Sequence, residues 1–123
     1  MIPERRAIGT DEAEVVRAAI ERGSVLRLDD TATVAISTLT VVAKCQCGCA
    51  SIEFDAPPSE QRSTVVAEGT ARTLRDGQVG VIVWGRPDAI TGLEIYDLGA
   101  GEGDLVLPVP TSITAWAKGK GVP

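Results

Sequence analysis

Hydrophobic positions along this chain change period once, from helical to alternating. Ala13, Val16, Ala19 and Ile20 recur at three- and four-residue intervals, the spacing that gathers side chains on one face of a helix. Arg17 and Glu21, four apart, can pair on the opposite face. Asp11 is placed to cap this helix with Glu14 three residues on as its capping-box partner, and Gly23 to stop it at C′. From Thr33 to Lys44 the chain is crowded with Thr, Val and Ile, which predicts a strand. Its alternation changes phase, because Val34 and Ile36 are even while Leu39, Val41 and Ala43 are odd. A bulge near Ser37-Thr38 would repair the register.

Shorter strands follow. Ile52 and Phe54 alternate with Glu53 between Ser51 and Asp55, and Pro57-Pro58 ends that run. Ser63 to Thr73 predicts another strand, weakened by Gly69. Asp76-Gly77 is a tight-turn signal, the near-continuous apolar run Gln78 to Gly85 reads as a central strand, and Ile90 to Tyr96 returns after the turn Arg86-Pro87-Asp88-Ala89. Consecutive strands joined by tight turns predict an α+β fold, with the N-terminal helix packed on an antiparallel β-meander of about four to five strands. Gly99 to Gly103 reads as a flexible loop, and Leu107-Pro108-Val109-Pro110 as an extended stretch. Trp116 is expected to anchor the tail on the sheet. Residues 1–9 and 118–123 are expected to be flexible ends of one domain spanning 1–123.

Composition narrows this picture. A chain of 123 residues supports one core, and because aromatic residues are only 3%, Val, Ile, Leu and Ala must build it. A net charge of −5 disfavours phosphate backbones, and Arg5-Arg6 is the only adjacent basic pair, so nucleic acid is not an expected partner. No apolar run approaches the ~20 residues that span a bilayer, so no membrane association is expected. The segment Met1 to Arg6 lacks the apolar stretch of a secretory signal, which makes a cytoplasmic location the expectation.

The candidate chemistry lies in Lys44-Cys45-Gln46-Cys47-Gly48-Cys49-Ala50. All three cysteines fall within five residues, and the chain has no histidine. Thiolates bind zinc, copper(I) and iron–sulfur centres, so Cys45, Cys47 and Cys49 are candidate zinc ligands. A fourth ligand would come from Glu53 or Asp55, from water, or from a second subunit. The spacing is not the paired Cys-x2-Cys of common zinc sites. In a regular strand, residues two apart stand roughly 6.6 Å apart by the strand rise and do not converge. A turn over Cys45 to Cys49, which Gly48 permits, would bring them together. The alternatives are cysteines acting as small buried hydrophobes between two strands, and a redox or intermolecular disulfide role.

Without histidine, Cys–His and Ser–His–Asp catalysis are excluded within one chain. Lys44 or backbone amides could still activate a thiol. Gly99 to Asp104 lacks the phosphate-loop pattern, and Glu102 and Asp104 lack calcium-loop spacing. Glu94 and Asp97 could face Glu53 and Asp55, although solvated strand faces explain such carboxylates. Trp84 and Trp116 read as core or sheet-covering residues.

The order Cys45-Gln46-Cys47-Gly48-Cys49-Ala50-Ser51-Ile52, Val81-Ile82-Val83-Trp84, Gly92-Leu93-Glu94-Ile95-Tyr96-Asp97 and Leu107-Pro108-Val109-Pro110 resembles small uncharacterised bacterial proteins. Those proteins carry a Cys-x-Cys-Gly-Cys segment ahead of a Gly-Leu-Glu-Ile-Tyr strand. The resemblance covers roughly residues 24 to 111, and implies a bacterial intracellular protein without assigning a role to any residue. The expected function is that of a small non-enzymatic protein acting through contact with a protein partner or as a homodimer. The alternative is a zinc-binding module using Cys45, Cys47 and Cys49.

Overall fold

In the computed structural model, which describes residues 1–115, the chain forms two α-helices and seven strands. They run in the order β1 (Ile2–Ala7), α1 (Thr10–Gly23), α2 (Asp30–Val34), β2 (Thr40–Lys44), β3 (Ile52–Phe54), β4 (Thr64–Arg72), β5 (Gln78–Arg86), β6 (Ala89–Asp97) and β7 (Thr114–Ala115). One antiparallel sheet holds all the strands in the order β1-β2-β3-β6-β5-β4-β7. The class is α+β as expected. The strand count is seven among the described residues, not four to five, because both edge strands escaped the alternation pattern. Trp116 and residues 118–123 lie outside the described residues.

The sheet is not one meander. β1-β2-β3 forms one and β4-β5-β6 another, and they meet where β3 pairs β6 through Ile52↔Leu93 and Glu53↔Gly92. The segment 55–63 crosses from one to the other. Arg86, buried at the end of β5, holds this crossing by donating to the Pro57 carbonyl at 2.9 Å while its Nε meets Asp88 at 3.0 Å.

The face of the sheet under α1 carries the core. Ala13, Val15, Val16 and Ala19 of α1 share one buried cluster with Ala67, Ala71, Val79, Val81, Val83, Leu93 and Ile95. Burying one such aliphatic side chain contributes about 1.5–3 kcal/mol, so this valine-rich layer outweighs every surface ion pair. No helix among the described residues is long and apolar enough to cross a membrane.

Several local expectations change. Residues 2–7, expected within a flexible end, form β1, paired with β2 through Ile2↔Lys44 and Ala7↔Thr40. The helix cap is not Asp11 with Glu14. Gly9 is the N-cap, and Glu12 accepts its backbone N–H at 2.8 Å. Glu12 wins because Arg6, on the adjoining strand, grips the same carboxylate through two nitrogens at 2.7 Å each. Gly23 is the last helical residue, and close packing is the reason for glycine there. A Cβ would lie 2.2 Å from the Glu68 carbonyl oxygen on β4.

The strand expected over Thr33 to Lys44 is in its first half helical. Asp29 is the N-cap of α2, and a 3-10 turn, Ala35–Thr38, follows. Ala32 and Ile36, four apart, are buried, whereas Val34 is 77% exposed. The change of phase near Ser37-Thr38 is therefore the border between a helical segment and β2, and no bulge is needed there.

Candidate metal centre

The chain between β2 and β3 closes on itself. Cys45 N–H donates to the Ser51 carbonyl at 3.0 Å, continuing the β2–β3 ladder, and Gly48 N–H donates to the Cys45 carbonyl at 3.1 Å, closing a turn. Gly48 has φ +88°, which glycine adopts without strain, and no atom lies within 4 Å of where a Cβ would stand. Glycine is needed here for its backbone, not for space. Ala50 N–H donates to the Leu105 carbonyl at 2.8 Å, fastening the turn to the loop after β6.

This turn brings together the three residues singled out in the sequence. The sulfurs of Cys45, Cys47 and Cys49 all lie within 4.8 Å of one another. Cys45 and Cys47 sulfurs are 2.9 Å apart, and Cys49 N–H donates to the Cys47 sulfur at 3.4 Å. Tetrahedral zinc–thiolate bonds of about 2.3 Å set sulfurs about 3.8 Å apart. The closest pair would have to open by roughly 1 Å around such an ion, a rotation of side chains on an existing turn. Cys47 is exposed, and Cys45 and Cys49 are half-buried, so they are not the fully buried hydrophobes that the sequence also allowed.

The thiols are not equivalent. Cys47 is pushed up to about 11, chiefly by its hydrogen bond with Cys45 and further by Cys49. At Cys49 burial acts upward. Hydrogen bonds from the Ser51 hydroxyl and backbone, and from Cys47 and Cys45, outweigh it and hold this thiol below the ordinary cysteine value. Between Cys47 and Cys49, negative charge therefore settles first on Cys49. Ser51 is buried and also bridges to β6, where its Oγ accepts the Ile95 N–H at 2.9 Å. No sequence signal marked Ser51 or the Leu105 carbonyl as supports, since both act through contacts between distant parts of the chain.

The other candidates are placed elsewhere. Among the described residues, no aspartate or glutamate joins the three sulfurs, so Glu53 and Asp55 do not complete the set. Asp55 pairs with Arg5 at 3.3 Å, and Lys44 pairs with Glu4 at 3.3 Å. The Asp97 carboxylate accepts the N–H groups of Gly99 and Gly101 at 2.7 and 3.1 Å, which hold it below the usual carboxylate range. Asp104 is buried and hydrogen-bonds the Thr73 hydroxyl. The glycine-rich segment expected to be flexible is thus tied at both ends, and its Leu105 carbonyl reaches the cysteine turn.

Cys45 also borders a groove of about 600 Å³ on the sheet face opposite α1, with Trp84, Glu94 and Glu53 among its walls. Trp84 Nε1–H donates to Glu94 Oε1 at 2.9 Å. Trp84 was expected as a core or covering residue, and it stands half-buried on this open face. Glu53 and Glu94 do come to one place, as the paired-carboxylate reading allowed.

No family model, curated protein or solved structure matches this chain, so what can be said of its function rests on the geometry of its own residues.

Proposed function

We propose that this chain binds a thiophilic metal ion, zinc foremost, through Cys45, Cys47 and Cys49. One observation carries the reading: three sulfurs from a single glycine-bearing turn lie within 4.8 Å of one another. Three thiolates this close repel one another, and a divalent cation removes that repulsion. The fourth position falls to water or to a donor from a second copy. Such a site differs from a closed four-cysteine centre, which holds its ion as a structural staple. An aliphatic core far larger than the turn supports the fold, so the ion is expected to be exchangeable and to serve a carrier or sensing role.

Native mass spectrometry of reduced protein purified without chelator tests this. One ion per chain is expected, lost in the Cys45→Ser/Cys47→Ser/Cys49→Ser variant while the fold persists. Saturating zinc at about 100 times Kd should stabilise the folded chain by about 2.7 kcal/mol. Protein that carries no metal and whose melting ignores added zinc would exclude the reading.

A second reading, contact with another protein or a second copy, has one observation in its favour. Leu74, at the β4–β5 turn, is 92% exposed and stands beside Leu107, Pro108 and the acidic Asp11 and Glu14. Sedimentation of wild type and Leu74→Glu tests the homodimer form. A dimer that dissociates in the variant supports it, and a wild-type monomer excludes it.

A further inference from the structure

Glu53, Gly92 and Trp84 sit side by side across β3, β6 and β5, paired as Glu53↔Gly92 and Trp84↔Gly92. Glu94, two residues beyond Gly92, joins them along the same groove. Neighbouring strands stand about 4.8 Å apart, so the backbones carrying Glu53 and Trp84 are about 10 Å apart. Only the hydrogen of Gly92 lies between them. This slot is the floor of the 600 Å³ groove, a volume in the range of small-molecule sites.

Gly92 is the residue that packing leaves unexplained. Glycine inside a strand weakens it. Elsewhere in the sheet the reason is plain. A Cβ would lie 2.3 Å from the Thr114 carbonyl oxygen at Gly69, 2.0 Å from the Tyr96 ring at Gly80, and 2.5 Å from the Ala89 carbonyl oxygen at Gly85. At Gly92 the nearest atom would be 3.5 Å away, an ordinary contact, and its φ is not in the left-handed region. The β5–β6 register does shift beside it, between Trp84 and Gly85, but that irregularity imposes no glycine-only conformation. Neither space nor backbone demands glycine, and its one consequence is to keep the slot open. A strand glycine marks a bulge, a bend or the close approach of a ligand or another backbone, and the open groove over Gly92 favours a ligand.

The walls define the ligand's chemistry. Among the described residues no lysine or arginine lines the groove, which Met1 also borders, whereas two carboxylates do. Glu53 has no ion pair among the described residues. Glu94 spends one oxygen on the Trp84 Nε1–H, which fixes the indole, and its other oxygen has no hydrogen bond among the described residues. An indole polarised by a carboxylate presents an electron-rich face to a cation. We propose that this groove binds a small organic cation, an ammonium or guanidinium on a short apolar stem. The cation sits between Glu53 and Glu94, and the stem lies over Gly92 against Trp84. The site does not depend on metal at the neighbouring cysteines.

The test titrates full-length, reduced, metal-free protein with n-butylguanidinium and n-butylammonium, with butyrate and 1-butanol as anionic and neutral isosteres. Indole fluorescence is read in a Trp116→Phe background, which leaves Trp84 as the sole reporter. Both cations should give saturable changes at least about tenfold tighter than either isostere, a difference of about 1.4 kcal/mol. Glu53→Gln/Glu94→Gln should lose about tenfold for the cations alone. Gly92→Val should lose as much by filling the slot. Gly92→Ala, whose methyl group fits, keeps the variant series interpretable if Gly92→Val melts early. Butyrate or butanol binding as tightly as the cations would overturn the proposal. So would cation binding unchanged in the double glutamine variant, or no saturation at about 50 mM, well above the millimolar affinities open to so small a ligand.

Discussion

Cys49 and Cys47 illustrate how far two residues of one type diverge when they share a turn. Only a thiolate is nucleophilic, and hydrogen bonds from Ser51 favour the Cys49 thiolate while Cys47 is pushed up to about 11. Iodoacetamide near neutral pH should therefore modify Cys49 before the more exposed Cys47 in metal-free protein, as peptide mapping at short times would show. Labelling in order of exposure would mean that these hydrogen bonds do not control the cluster. Glu12 makes a second residue-scale prediction. The Arg6 guanidinium and, less strongly, the Gly9 N–H hold its carboxyl below the ordinary glutamate value of about 4.5. A depressed folded value means that the unfolded chain binds more protons as pH falls. The stability from this contact is thus complete above about pH 4.5 and is lost as pH drops through the folded value. Melting curves of wild type and Glu12→Gln should differ at neutral pH and converge in acid; a constant gap would assign the effect to the cap alone. The clustering of the three cysteines was legible in the sequence because residue type marks them and Gly48 marks the turn. Ser51 and Leu105 were not, because their roles exist only once β6 and its following loop pack beside the turn.

At the scale of elements, α2 shows where a pattern of β-branched residues misleads. Thr33, Val34 and Ile36 have strand character, yet Asp29 and Asp30 favour a helical start just before them, and the pair Ala32 and Ile36 keeps helical spacing. Burial decides between the two patterns. Ile36 is 1% exposed and Val34 77%, although a strand would put both on one face. Ile36→Ala should cost about 2–5 kcal/mol and Val34→Ala less than about 0.5 kcal/mol in denaturant unfolding. Equal losses would restore the strand. β3 to β6 were legible because alternation, Asp76-Gly77 and Arg86-Pro87 punctuate them within one stretch of chain. β1 was hidden by its exposure: Ile2–Ala7 has three consecutive charged residues, Glu4, Arg5 and Arg6, and no buried residue. β7 is two residues long and makes no periodic signal.

For the whole molecule, the division of the sheet matters more than its seven strands. β4, β5 and β6 are each nine residues long, are joined by tight turns and supply half of the buried core cluster, so their contacts are expected to form early and break late. β3, with three residues, is the strand through which the sheet's hydrogen-bonded ladder continues from this block to β1-β2. Hydrogen exchange should find amides of β4, β5 and β6 protected by the global stability, and those of β1, β2 and β3 opening together at lower free energy. Uniform protection across all strands would show that the two parts open as one.

That three-residue link is a seam, and the cysteine turn begins at one of its ends. An ion gripped by Cys45 and Cys49 would close the turn leading into β3 and shorten the loop the chain must order there. Its influence would travel along the seam into β1 and β2, well beyond three sulfurs. Occupancy of a surface turn would then be readable as the tightness of half a sheet, and a partner sensing that half would in effect be sensing metal.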